Sequence, residues 1–283
     1  MLGSIFLVAA LALAPGQAGG LKLSNVRNTY GELGGARPEG KFLPGDIFYV
    51  GFDIENLSIN DEGQVAYEMA MEVLDKDSKA IFEQKPAMKT DFVPLGGAKL
   101  PARAFISVGI DQEPGTYTLK LTVKDLGKGA AKANAQTLSK SFEVSKKEFG
   151  IVAVNTSVDD RGAFPSPTTG IVGQSIYVQF GVVSFERAAP KADPKSTAPK
   201  AAPQPDLTFE MVTLDSFGKP TIGKPVLYKL ATEVKEQDQG FAMRFFLPMT
   251  RAGKFTVRLK ATDNISKKES TFDLPITVVE SGN

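Results

Sequence analysis

The chain has 283 residues, 42% of them hydrophobic, and 33 Lys and Arg against 32 Asp and Glu give a formal net charge of +1. That length suits one or two globular domains, each able to bury a core. The near-neutral balance gives no electrostatic reason to expect nucleic acid or an anionic membrane surface as partner. His, Cys and Trp are all absent. Without His there is no Ser/His/Asp triad, no imidazole base and no imidazole metal ligand. Without Cys there is no disulfide, thiolate nucleophile, zinc–thiolate site or lipid-bearing cysteine. Any sheets must be held by packing alone.

In chain order, residues 4–13 (SIFLVAALAL) are apolar except for Ser4 and too short for a comfortable membrane span. Gly16-Gln17-Ala18 gives the small-x-small pattern of a signal-peptidase site. The expectation is a signal peptide over 1–18, cut after Ala18, with a secreted or periplasmic product and no membrane span after cleavage. Met1-Leu2-Gly3 departs from the pattern, because it lacks the usual basic residue.

Residues 21–26 (LKLSNV) alternate apolar and polar and read as a first strand. Residues 30–41, with four Gly and a Pro, read as loop. Pro44-Gly45-Asp46 is a turn into the strand 47–54 (IFYVGFDI), which is rich in β-formers. Residues 65–74 (VAYEMAMEVL) are ambiguous. Their Ala, Glu and Met suit a helix, whereas Val65, Tyr67, Met69, Met71 and Val73 recur with the period of a strand. A hairpin-type turn over 75–79 leads to 80–82, and a further strand runs over 100–110. Then 114–125 (PGTYTLKLTVKD) places Tyr117, Leu119, Leu121 and Val123 on one face. A Gly/Ala/Lys loop over 125–135 precedes a closing strand at 139–144.

The phrase 114–125 returns as 252–263 (AGKFTVRLKATD), in the same order: small residue, Gly, aromatic, alternating apolar residues, Asp. Aligning outward pairs Tyr177 with Tyr49 and Phe180 with Phe52. It also pairs 209–215 (FEMVTLD) with 69–75, Lys219 with Lys79, and 241–247 with the strand around Phe105. In the second copy the counterpart of the ambiguous segment is a poor helix, which decides for strand. Pro275 in the last strand (TFDLPITVV) removes a ladder donor and predicts an edge or bulge. Copy two carries one insertion, 188–205 (AAPKADPKSTAPKAAPQP), whose composition favours an extended, polyproline-like segment. It reads as a surface insertion, or more sharply as a docking arm offering Lys191, Lys195 and Lys200 to anionic wall polymer. The boundary falls near 145–150, giving modules at 19–147 and 148–283 joined tightly enough to restrict their angle.

The repeated phrase resembles the penultimate strand of bacterial immunoglobulin-like and fibronectin-III-like extracellular modules, as found in tandem in secreted bacterial proteins. The resemblance implies an all-β fold of two tandem antiparallel β-sandwiches. It also implies a tyrosine-corner role for Tyr117, which Phe255 lacks the hydroxyl to repeat, and a capping role for the final Asp of each phrase.

Carboxylates are the remaining site chemistry. Asp75 with Asp77, and Asp159 with Asp160, are the calcium candidates. Neither pair shows a dense Asp-x-Asp-x-Asp-Gly loop, so Asx turns are the plainer expectation; Asn60-Asp61-Glu62 reads the same way. No carboxylate pair is marked for glycoside hydrolysis. Asn56, Asn155 and Asn264 each begin a glycosylation sequon, a pattern short enough to arise by chance. Tyr30, Tyr49, Tyr67, Tyr177 and Tyr228 read as core or strand-face residues. No catalytic residue and no cofactor is expected. The expectation is a non-enzymatic binding or structural module of the cell envelope, acting through sheet faces or edges on a protein or polysaccharide. The alternatives are a carbohydrate-binding accessory protein and an accessory subunit of a secreted hydrolase.

Overall fold

The computed structural model describes residues 20–127, 134–189, 202–232 and 234–282. The expected signal peptide and Lys191, Lys195 and Lys200 lie outside the described residues. The first half forms β1 (Lys22–Asn28), β2 (Lys41–Phe42), β3 (Ile47–Glu55), β4 (Gln64–Leu74), β5 (Ala80–Phe92), β6 (Lys99–Ser107), β7 (Gly115–Asp125) and β8 (Ala135–Val144). The second forms β9 (Gly150–Ser157), β10 (Thr169–Ile171), β11 (Ser175–Val183), β12 (Leu207–Leu214), β13 (Val226–Leu230), β14 (Gly240–Pro248), β15 (Gly253–Asp263) and β16 (Glu269–Val279). The protein is all-β, with no helix among the described residues.

In the first half a three-stranded sheet, β1-β3-β6, accompanies a five-stranded sheet, β2-β8-β7-β4-β5. In the second half the corresponding orders are β9-β11-β14 and β10-β16-β15-β12-β13. Most pairings are antiparallel, as expected; β2 on β8 and β10 on β16 are short parallel exceptions. The repeated phrase forms β7 and β15, the middle strand of each large sheet.

Period-two patterning explains the cores. In β4, Val65, Tyr67, Met69, Met71 and Val73 are buried while the residues between them are not, so register overrides the segment's helix propensity. One core gathers Phe48, Phe52, Leu119 and Leu121, and the other Phe180, Phe209, Val257 and Leu259. The aligned turns coincide in detail. The Asp75 carboxylate accepts from the N–H groups of Asp77 and Lys79, and Asp215 does the same for Phe217 and Lys219. Gly45 and Gly173 both take positive φ (92° and 95°) at the turn into β3 and β11, where a side chain would be strained. Asn25 and Ala153 are matching left-handed residues beside irregularities in β1 and β9.

Several elements differ from expectation. The short stretch 80–82 is the start of a 13-residue strand, and β13 is a strand where none was read. Every residue of β5 is exposed, so burial imposes no alternation there for the sequence to display. Pro275 sits opposite Thr256 in an unbroken register with β15, and β10 covers β16 only from Thr277 onward. At Pro275 the strand therefore has a neighbour on one side only, as the missing donor requires.

The corner and cap roles are visible as hydrogen bonds. The Tyr117 hydroxyl donates to the Glu113 carbonyl at 2.7 Å and accepts from Gln112 at 2.8 Å. Asp125 accepts from the Ser58 and Gly127 N–H groups and the Ser58 hydroxyl. Asp263 accepts from the Glu186 and Ile265 N–H groups and the Ser266 hydroxyl. Each Asp thus ties its hairpin to a neighbouring loop.

The loop 30–41 reaches out of the first half. Tyr30 is buried in the second core and meets Phe272 edge-on at 5.9 Å. Arg37 lies over Phe42 and Phe272 and pairs with Asp46 at 3.2 Å. Asp46 also accepts from Ile47 N–H at 2.8 Å and, across the joint, from Ala153 N–H at 2.7 Å. Burial pushes the Asp46 carboxyl up, against the Arg37 charge and these N–H groups. The left-handed Ala153 costs about 1–2 kcal/mol of backbone strain, and its conformation accompanies an N–H aimed at Asp46.

Candidate binding surface

The outer face of each small sheet carries the same side chains. On β3 and β6 the cross-strand partners Tyr49 and Phe105 lie 5.9 Å apart; on β11 and β14 Tyr177 and Phe246 lie 5.3 Å apart. Two residues before each Phe stands an Arg. Arg103 pairs with Glu32, and Arg244 donates to the Asp160 carbonyl at 3.0 Å with its carboxylate at 3.7 Å. Phe105 is 55% exposed and Phe246 54%. Core packing explains why Phe52 and Phe180 match. It does not explain a matching Phe that stands half in water.

Burial pushes the Tyr49 hydroxyl up to about 12, helped by the Glu32 and Asp46 charges, so it stays protonated at neutral pH. The surface therefore offers an aromatic pair, a guanidinium and a phenol donor. Such a set suits stacking and directional hydrogen bonding.

Behind each aromatic pair the sandwich is open. The large sheet overhangs the small one by the width of its last strand. Phe82 lies opposite the buried Val73 and so points inward, yet it is 44% exposed. Tyr228, opposite the buried Phe209, is 47% exposed. At the other side of the first half Phe42 on β2 is only 2% exposed, so that side is closed. The overhang leaves a cleft of about 610 Å³ beside β6 and one of about 390 Å³ beside β14. Their walls correspond position by position: Met71 with Met211, Ile106 with Leu247, Val108 with Met249, Tyr117 with Phe255, and Phe142 with Ile276.

The residues singled out from sequence lie elsewhere. Asp75 is occupied by its turn, and Asp77 pairs with Lys76. Asp159 accepts from the N–H groups of Phe164, Ala163 and Arg161, and these bonds, with Phe164 foremost, hold its carboxyl below the ordinary range. Asp160 is the member that joins the surface, as the partner of Arg244. Among the described residues no three carboxylates come together. Asn60 caps the N–H groups of Glu62 and Gln64. The amide of Asn155 bonds the Ala153 carbonyl, and that of Asn264 bonds Asp206 and Thr208. The base of the insertion is pinned by Arg187, which donates to the carbonyls of Pro203, Val234, Lys235 and Asp238. Sequence reading missed Arg103 and Arg244. Their signal is the Arg-x-Phe repeated within segments already aligned, and both residues face outward.

No protein-family model matches the chain, and no curated protein matches it. Among solved structures, red sea bream transglutaminase aligns at 12% identity and a TM-score of 0.28, over 93% of this chain and 32% of that one. Pseudomonas fluorescens alkylpurine DNA glycosylase AlkC, bound to DNA containing an abasic-site analogue, aligns at 14% identity and 0.26, over 44% and 30%. The chain spans about a third of the length of these structures. At such TM-scores neither likeness bears on fold or activity.

Proposed function

We propose that this protein is a non-enzymatic binding or structural component of the cell envelope, secreted or periplasmic, that holds a protein or polysaccharide partner through its two small sheets. The observation that carries the reading is the recurrence of Tyr, Phe, Arg and an acid on the exposed face of both halves. The chemistry available at the surface is that of contact: exposed Phe rings beside half-exposed Arg groups that Glu32 and Asp160 hold in place. The test is co-sedimentation of the purified chain with envelope fragments. The parent chain pellets with them, and the double variant Phe105→Ala/Phe246→Ala loses about tenfold in retention, in line with removal of an aromatic anchor. Equal retention of the folded double variant rejects the reading.

A second reading, carbohydrate binding, is favoured by the two exposed Phe rings, each beside a partly buried Tyr, because sugar rings stack on such platforms. It requires Tyr49→Ala/Tyr177→Ala to weaken retardation in a polysaccharide affinity gel.

A further inference from the structure

We propose that the opening in each half takes an extended polypeptide strand of a partner, which pairs with the free edge of β6 or β14 and alternates apolar with acidic residues. This rests on the binding reading above and names the partner class. Among the described residues β6 and β14 each end their sheet, so every second residue turns an N–H and C=O with no strand partner toward the opening. The overhanging strands β5 and β13 leave one strand position uncovered beside them, and a strand needs only about 4.8 Å of width. A strand in that position sends alternate side chains inward onto Met71, Tyr117 and Phe142, or onto Met211, Phe255 and Ile276. Those side chains must be apolar.

The intervening side chains of the incoming strand face outward, beside Arg103 and Phe105 or Arg244 and Phe246. Charge selects their type. The described lining of the first cleft holds Lys89 and Arg103 with no carboxylate, and that of the second holds Arg251 with none. Glu32 and Asp160 hold Arg103 and Arg244, but both Arg side chains stay about half exposed, with N–H groups left to meet a second carboxylate. β6 (KLPARAFIS) and β14 (GFAMRFFLP) contain basic residues and no acid. Pairing two copies edge to edge would set like charges against each other, whereas an acidic strand meets opposite ones. This favours a partner strand over a second copy of the chain. On β5, Lys85, Pro86 and register shifts discourage pairing, which directs the incoming strand to β6.

The experiment uses the full chain and synthetic nine-residue peptides in which Val and Leu alternate with Glu, read by fluorescence polarisation. The alternating peptide is expected to bind about tenfold more tightly than a block-ordered peptide of the same composition. N-methylation of the amides along one peptide edge abolishes binding, and along the other edge leaves it. The folded variant Arg103→Glu/Arg244→Glu weakens the Glu peptide about tenfold and prefers its Lys counterpart. Should that variant fail to fold, the N-methylation pair decides alone. Equal binding of alternating and block peptides, or indifference to N-methylation, overturns the proposal. If no peptide binds while envelope polysaccharide does, the strand inference fails and the binding reading stands; if neither binds, both fail.

Discussion

The two halves spend their identities in different places from their variation. Core positions match in type and turns match in geometry, down to the Asx turns at Asp75 and Asp215. The corner differs: Tyr117 holds its own carbonyl, while Phe255 instead lies beneath Arg251, 5.3 Å from the guanidinium to the ring. The overhanging shelves differ too, with Gln84 and Lys89 in one half and Val226 and Tyr228 in the other. One backbone plan thus tolerates changes in how a corner is held and in what a shelf displays. It keeps the hairpin Asp and the outward Arg and Phe. The first is retained for stability, and the second is the part with no internal explanation.

The strongest way to disturb this comparison is to separate the halves. Arg37→Ala leaves Asp46 buried without its cation, and a cost of about 3–5 kcal/mol is expected. Calorimetry should then resolve two melting transitions where the parent shows one. A single transition at unchanged temperature would mean the joint carries no coupling.

Next come the hairpin caps. Asp125→Ala and Asp263→Ala each strip acceptors from buried N–H groups and should cost about 2–3 kcal/mol in urea unfolding. Acid separates the Asp263 cap from the joint. Burial opposes the Asp263 charge, but the Glu186 N–H, the Ser266 hydroxyl and the other bonds hold its carboxyl below the ordinary 3.8. Its contribution is whole above 3.8 and is lost as pH falls through the lower folded value. Asp46 is raised, so its titration favours the fold most below 3.8 and works against it as pH rises through the raised value. Melting curves across that window should show Asp263→Asn flattening the acid loss, and Asp46→Asn leaving it in place.

The corner is a smaller test. Tyr117→Phe should cost about 1 kcal/mol, and Phe255→Tyr should gain no more than about that. The smallest stability effect belongs to the outward aromatics. Phe105→Ala and Phe246→Ala should each shift chemical denaturation by about 0.5–1 kcal/mol, the scale of a cross-strand pair. A much larger shift would reassign them to holding the sheet.

What was legible in the sequence follows from burial. β3, β4, β7 and their counterparts have one face in a core, so period two is written into them, and the second copy resolved the first. β5 and β13 lie in water on both faces and left no alternation to read. The loop 30–41 was legible as loop, but its docking was not, because Tyr30 and Arg37 meet residues far along the chain. The candidate surface was half legible: Tyr49, Tyr177 and Phe105 were aligned as strand residues. Their display depended on which face of the small sheet turned outward, and one copy's pattern alone does not mark that.

The Tyr30 loop also sets an order of events. It is synthesised long before the surface that receives it, so the first half can close its own core, with Arg37 on Phe42 and Asp46, while Tyr30 remains in water. The second half then assembles around a side chain already supplied, with folding running from the amino-terminal side. A cut in the connection at 145–150 divides the chain but not the packing. The carboxy-terminal piece alone would lack a member of its own core, and it would expose an apolar socket that aggregates as its concentration rises.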